Sequence, residues 1–382
     1  MVKYFHNGLD HYFREGDLNK VLSLCLHRFE EHGDLGTEFF IYIENAILKN
    51  KEYVLQNLKN MPSDFALRGV VEYGLGCIAA SEFRLESTIE HLRNAFSLSM
   101  KVLDVFENEH GFCKSVVPFI AKEAYNLKPY DNLKDEEILL PKIKFSKIEK
   151  ETDFFVLASC NGIYFDRYFE EFYETIRQHN ENNIYHIHIA NPTSQTEKLI
   201  AELDDPNFKF SFENTNRGAS YFACMRLFIA RRLMENYNCG CLVSDIDVRW
   251  IKSPSKIWAG LNKADFGWYP KPGPAPSLLV HAQIIAFSKT QKAFEILEKS
   301  NQFLAYKLSE FPSWCLDQSS LFRAVCLTPE AKTQDFRETL GDIETVQRLP
   351  DTSLTEKQAF RAFENIEISM NSDGYPILSR VD

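Results

Sequence analysis

Residues 241–250, Cys-Leu-Val-Ser-Asp-Ile-Asp-Val-Arg-Trp, run an apolar stretch straight into two carboxylates, Asp245 and Asp247, one residue apart. In extended chain, residues two apart point the same way. The pair therefore faces one ion if the strand end stays extended. Carboxylate oxygens suit a hard cation such as Mn²⁺ or Mg²⁺, and such an ion bridges a diphosphate and neutralises charge on a departing one. An Asp-x-Asp in a loop carries little information; one placed after a buried strand of an α/β unit carries far more. His281 and Gln283 share one face of an apolar run from Leu278 to Phe287, either toward a ligand or as a solvated strand face. Asp317 has a carboxylate suited to general-base work, and it equally suits a helix N-cap.

Strands and helices must place these groups. From Asp153 onward the pattern alternates. Phe154 to Ala158 is a short buried strand, Ser159 to Gly162 a turn, and Asp166 to His179 an amphipathic helix. Ile184 to Ile189 is the next strand, with His186 and His188 on one half-buried face. A helix from Thr193 to Leu203 and a strand from Phe208 to Phe212 follow. Strand, helix, strand, helix, strand implies a parallel sheet with right-handed crossovers, whose ligands bind at the carboxyl ends of the strands. Pro270 to Pro276 reads as a stiff loop.

The stretch from Asn216 to Pro254 resembles the core of the GT-A nucleotide-diphospho-sugar transferases. A helix carrying Tyr221 and Arg226 precedes a strand that ends in Asp245-Ile246-Asp247, followed by Trp250 and Pro254. Trp314 to Leu321 is similar to the Asp-Gln helix start that lines the sugar pocket in retaining members. The resemblance covers about residues 153 to 330 and implies an α/β GT-A domain that binds a nucleoside diphosphate sugar. It places Asp245 on the ribose or metal, and Asp247 on the metal and diphosphate. Arg226 reaches the phosphates or the sugar, a task suited to a bidentate guanidinium; otherwise it is a surface ion pair. Arg217 has a weaker case of the same kind. Asn161 and Gly162 stand where base and ribose lie in the family, with an ordinary strand-to-helix turn as the alternative. His281, Gln283 and Gln318 become sugar contacts. Asp317 becomes either an acceptor-deprotonating base or a group that orients the donor. Several retaining families use a C-terminal His as third metal ligand. This chain has no His after His281, so Asp373 replaces it, or the diphosphate and water complete the shell.

The 382 residues suggest two domains. Helical periodicity fills the first hundred, and turn-like segments near Gly16, Asn50 and Phe83 recur with tetratricopeptide-type spacing; a plain helical bundle reads nearly as well. The division expected is a helical, tetratricopeptide-like domain over 1–125, a connector over 126–151 and a GT-A domain over 152–382. A net charge of −11 argues against a nucleic-acid binder. Nine scattered cysteines without a CxxC pair read as buried thiols in a reducing compartment. No stretch reaches the length of a membrane span and the first ten residues hold no apolar core of a signal peptide, so a soluble cytoplasmic protein is expected. The acceptor is a glycan, a lipid-linked sugar or a protein, docked by the helical repeats. A nucleotidyltransferase and a non-catalytic adaptor with a decayed transferase domain are the rival readings. The single Gly after the first strand and the intact aspartate pair, respectively, weigh against them.

Overall fold

The computed structural model describes residue 20 and residues 37–61, 68–98, 143–146, 148, 151–179, 181–270, 279–310, 316–341, 346–348, 366–370 and 376–380. Most of the expected connector, the Gly16 turn and most of the Pro270–Pro276 loop lie outside the described residues. The chain divides into two compact units, Met1–Lys128 with Lys271–Leu279 and Asn365–Asp382, and Pro129–Pro270 with Val280–Glu364.

In the first unit, α1 (Thr37–Asn60) breaks at Asn50, where φ is −156° and ψ is 81°. The Asn50 side chain accepts from the Tyr53 amide at 3.1 Å, the bond by which Asn starts a helix. Between α2 (Arg68–Ser81) and α3 (Leu85–Leu98) the chain turns through Phe83 at φ 59°. Break and turn fall where the sequence places them. A Cβ added to Gly76 would lie 3.4 Å from His91 and 3.5 Å from Leu92, ordinary contact distances, so alanine would also fit between α2 and α3. Buried Glu72 joins Arg68 at 3.0 Å and His91 at 2.9 Å. Burial alone would raise its pKa; His91 and Arg68 override this and hold the carboxyl below its usual range.

The second unit is mixed α/β. Its first part is β1 (Phe154–Asn161), α4 (Gly162–Arg177), β2 (Ile184–Ala190), α5 (Ser194–Glu202), β3 (Phe208–Glu213), α6 (Ala219–Tyr237) and β4 (Gly240–Ser244). There follow β5 (Val248–Trp250), α7 (Pro254–Gly260), β6 (Phe266–Pro270), β7 (Val280–Phe287), α8 (Gln291–Glu310), α9 (Leu316–Cys326), β8 (Thr333–Asp335), α10 (Phe336–Leu340) and β9 (Val346–Arg348). Seven strands form one sheet in the order β3-β2-β1-β4-β7-β6-β8. It is parallel from β3 to β4, and β7 runs antiparallel to both neighbours. β5 and β9 pair separately as a short antiparallel ribbon. Strand order reverses between β1 and β4, so the crevice for a ligand opens at their carboxyl ends. This is the mixed α/β architecture expected of a GT-A domain. In the first unit, β10 (Ile366–Met370) and β11 (Pro376–Arg380) form an antiparallel hairpin.

Helices cover both faces of the sheet. α4 buries Phe165, Tyr168, Phe169, Phe172 and Ile176, a 3.6-residue stripe in which each side chain contributes about 1.5–3 kcal/mol. On the other face lies α6, against which α8 packs, with α9 beside α8. Two local expectations change. β1 runs through the expected turn to Asn161, and α4 starts at Gly162 rather than Asp166, because Asn161 Oδ1 accepts from the Tyr164 amide at 2.9 Å and starts the helix at once. β2 is buried at every residue, His186 and His188 included, instead of being half-buried. No helix among the described residues is long and apolar enough to cross a membrane.

Candidate functional site

β4 delivers the aspartate pair. Its last residue, Ser244, donates its hydroxyl to the Asp245 carbonyl at 2.8 Å, and the Asp245 amide donates to the Gln283 carbonyl on β7 at 3.0 Å. The chain then bends at Ile246 and Asp247 before β5, so the strand end does not stay extended. Ile246 is buried in the core, Asp247 is 4% exposed and the Asp245 side chain is 27% exposed. Asp247 lies toward the end of β1: burial, then the charges of Asp166 and Asp247, push the Cys160 thiol up.

Arg226 projects from α6 into this crevice. Nη1 donates to Asp245 Oδ1, and Nη2 donates to Asp317 Oδ2 at 2.5 Å. The guanidinium is 8% exposed and Asp317 5%. It is therefore a buried bridge rather than a surface ion pair. Burial disfavours its charge, but Asp245 and Asp317 more than compensate and raise its pKa. Asp317 sits inside the first turn of α9, not at the cap. There its Oδ1 accepts from the Gln318 amide at 2.9 Å and its carbonyl accepts from Ser320 Oγ at 2.7 Å. A carboxylate is favoured at the positive end of a helix.

Asp245, Arg226 and Asp317 thus meet, with Gln283 beside Asp245 and Gln318 beside Asp317. His281 is half-buried on the same face of β7 as Gln283, opposite Tyr269. The Arg217 guanidinium lies 4.9 Å above the Tyr221 ring. Asn161 and Gly162 have structural work. Asn161 is the α4 cap, and a Cβ at Gly162 would come 2.5 Å from the Asn191 carbonyl and 3.0 Å from the Thr193 amide. The close approach that requires glycine here is to the chain's own backbone. Asp373 lies outside the described residues. Among the described residues no group of three or more His, Cys, Asp or Glu side chains is arranged to hold a metal.

Sequence reasoning missed Asp166, whose carboxylate accepts from Thr193 Oγ1 at 2.5 Å and Thr196 Oγ1 at 2.6 Å and so ties α4 to the start of α5. It also missed Glu213, buried at the end of β3 and bonded to the Tyr221 hydroxyl at 3.0 Å. The period-two pair Ser211 and Glu213 was its signal.

No known protein family's pattern matches the chain, and no curated protein does. Over about half its length it is similar in structure to solved glycosyltransferases. The bifunctional glycosyltransferase WbbM, in its apo form, shares 16% identity at a TM-score of 0.37 over 50% of this chain and 40% of its own. The galactosyltransferase LgtC, in complex with donor and acceptor sugar analogues, shares 11% identity at 0.38 over 52% of this chain and 87% of its own. An active-site mutant of LgtC shares 11% at 0.39, over 53% and 92%. The chain therefore spans less than half the length of the WbbM chain, and the likeness is one of fold.

Proposed function

We propose that the second unit is a glycosyltransferase that moves a sugar from a nucleoside diphosphate donor to an acceptor hydroxyl. The observation that carries this reading is the Asp245–Arg226–Asp317 bridge at the carboxyl ends of the sheet, beside the point where strand order reverses. Asp245, Asp247 and Asp317 bring carboxylate oxygens to this end of the sheet, and such hard oxygens suit Mn²⁺ or Mg²⁺. Asp245 and Asp247 would hold the ion from a bent rather than an extended segment, and the diphosphate with water or Asp373 would fill the remaining positions. Bound there, the ion supplies charge neutralisation for the departing diphosphate.

The chain's own residues do the rest. Arg226 binds Asp245 and Asp317 with its two Nη atoms, and it would reach donor phosphates or sugar hydroxyls by exchanging one of these partners, in a place where electrostatics act with little screening. Asp317 orients the Arg226 fork with Oδ2 and would, from α9, bind a sugar hydroxyl of the donor. Gln283 fixes the Asp245 backbone, which holds the first carboxylate on its loop. The direct passage of β1 into α4 leaves no Gly-rich phosphate loop, which counts against a nucleotidyltransferase. The acceptor would be a glycan, a lipid-linked sugar or a protein docked by the helical unit.

A thermal-shift screen of nucleoside diphosphates and their sugars, with and without Mn²⁺, tests the reading. Stabilisation by one base, larger with metal, is expected. Indifference to every nucleotide in both conditions would overturn it.

A further inference from the structure

The face of the sheet that α6 covers carries polar side chains where apolar ones would pack. In register, Ser159 of β1 stands beside His188 of β2, and His188 beside Ser211 of β3. His186 and Glu213 lie two residues away on the same face, and both histidines are fully buried. One chain of contacts links them. Tyr237 Oη lies 2.7 Å from His186 Nδ1, His186 Nε2 lies 2.8 Å from Ser211 Oγ, and Ser211 Oγ lies 2.8 Å from His188 Nδ1. His188 Nε2 faces Glu213 Oε1 at 3.6 Å, and the Tyr221 hydroxyl donates to Glu213 Oε2 at 3.0 Å. His188 Nε2 and Glu213 Oε1 face each other just beyond hydrogen-bond distance and are left without hydrogen-bond partners. A single direction of donation runs along the rest of the row: Tyr237 donates to His186, His186 to Ser211 and Ser211 to His188. It needs a neutral His186, and burial, with His188 nearby, lowers the His186 pKa to about 3.

Tyr221 lies in the first turn of α6 and Tyr237 is its last residue. Two hydroxyls therefore pin the two ends of one helix to one row. Polar groups are costly to bury, and an apolar interface would have held α6 against the sheet. What apolar packing specifies weakly is position along the helix axis. α6 begins at Gly218 without a side-chain cap, so its first turn depends on other anchors. Arg226 stands between the pins, nearer Tyr221, and must meet carboxylates from two other elements. A slip of one residue is about 1.5 Å, while a functional constellation tolerates about 0.5 Å.

We infer that Glu213 and His188 are positioning residues, which act through Tyr221 to fix the axial register of α6 and with it the Arg226 bridge to Asp245 and Asp317. The inference stands on the bridge, independently of the reaction proposed above.

Tyr221→Phe and Tyr237→Phe form a matched pair, each deleting one buried hydroxyl at one pin. The full chain is labelled with ¹⁵N-arginine, the Arg226 Nε–H signal is identified by its loss in Arg226→Lys, and its hydrogen exchange is measured. Tyr221→Phe is expected to speed exchange about tenfold, the scale of one lost buried hydrogen bond. Tyr237→Phe leaves it near wild type, although both variants lower the unfolding midpoint. Glu213→Gln, which still accepts from Tyr221, stays close to wild type. If Tyr221→Phe fails to fold, His188→Asn breaks the row without touching α6 and is expected to speed exchange several-fold. Equal effects at both pins, or unchanged exchange in the near-pin variant, would reduce the row to general stabilisation and overturn the inference.

Discussion

Arg226 holds its charge at 8% exposure because two carboxylates reach it. Removing one partner from a buried ion pair leaves an uncompensated charge and costs about 3–5 kcal/mol. Arg226→Met is expected to lose stability on that scale in urea unfolding, and adding Asp317→Asn to recover a substantial part of it. A double variant no better than the single one would show that the two groups are not coupled. Asp247 belongs to the proposed chemistry rather than to this bridge. Asp247→Asn is expected to abolish the extra thermal stabilisation that Mn²⁺ gives to nucleoside diphosphate binding, while the ligand-free melting temperature moves by a few degrees at most. Retained metal-dependent stabilisation would remove Asp247 from the ligand set. At this scale the sequence was partly legible. Residue types and spacing singled out the aspartate pair, but Arg226 and Asp317 lie far apart in the chain, and nothing local to either announces the other. Only the packing of α6 beside α9 and β4 joins them.

Elements were legible where hydrophobic period is strong, as in α4 and the buried strands. Their junctions were less so. Asn161 and Gly162 looked like a turn because Asn and Gly favour turns, yet the same pair ends a strand and caps a helix with no residue between. The glycine carries a geometric demand: its missing Cβ makes room for the Asn191 carbonyl, a backbone atom that yields little. Gly162→Ala is expected to cost about 1–3 kcal/mol, the usual penalty of overpacking, measured by chemical unfolding. A neutral outcome would mean the β2–α5 connection moves freely. The polar row on β2 and β3 was unreadable for another reason. Histidine alternating with apolar residues looks alike whether its face meets water or a helix, and α6 decides which.

For the molecule as a whole, His186 sets an acid limit. The unfolded chain takes a proton near pH 6.5, whereas the folded one refuses it until about 3. Stability is then complete above pH 6.5 and falls as pH drops, by about 1.4 kcal/mol per unit. Between pH 6.5 and 5 the unfolding midpoint of wild type is expected to fall, and that of His186→Asn to fall less. Parallel slopes would mean other groups govern the loss. The burial of that ring is not visible in composition; it follows from α6 covering that face of the sheet.

The described cysteines are buried: Cys77 in the first unit, and Cys160, Cys224, Cys239, Cys241 and Cys326 in the second. Burial pushes the Cys239 thiol up to about 11, and Cys160 and Cys241 upward as well. A thiol that is covered and protonated does not meet an alkylating reagent. Each unit therefore holds its own stopwatch, started only when it opens. In pulsed alkylation read peptide by peptide across a urea series, Cys77 is expected to be tagged at lower urea than Cys241, because the smaller unit buries less apolar surface. Simultaneous tagging would instead reveal one cooperative transition, written by the chain as covalent marks on its own sulfur.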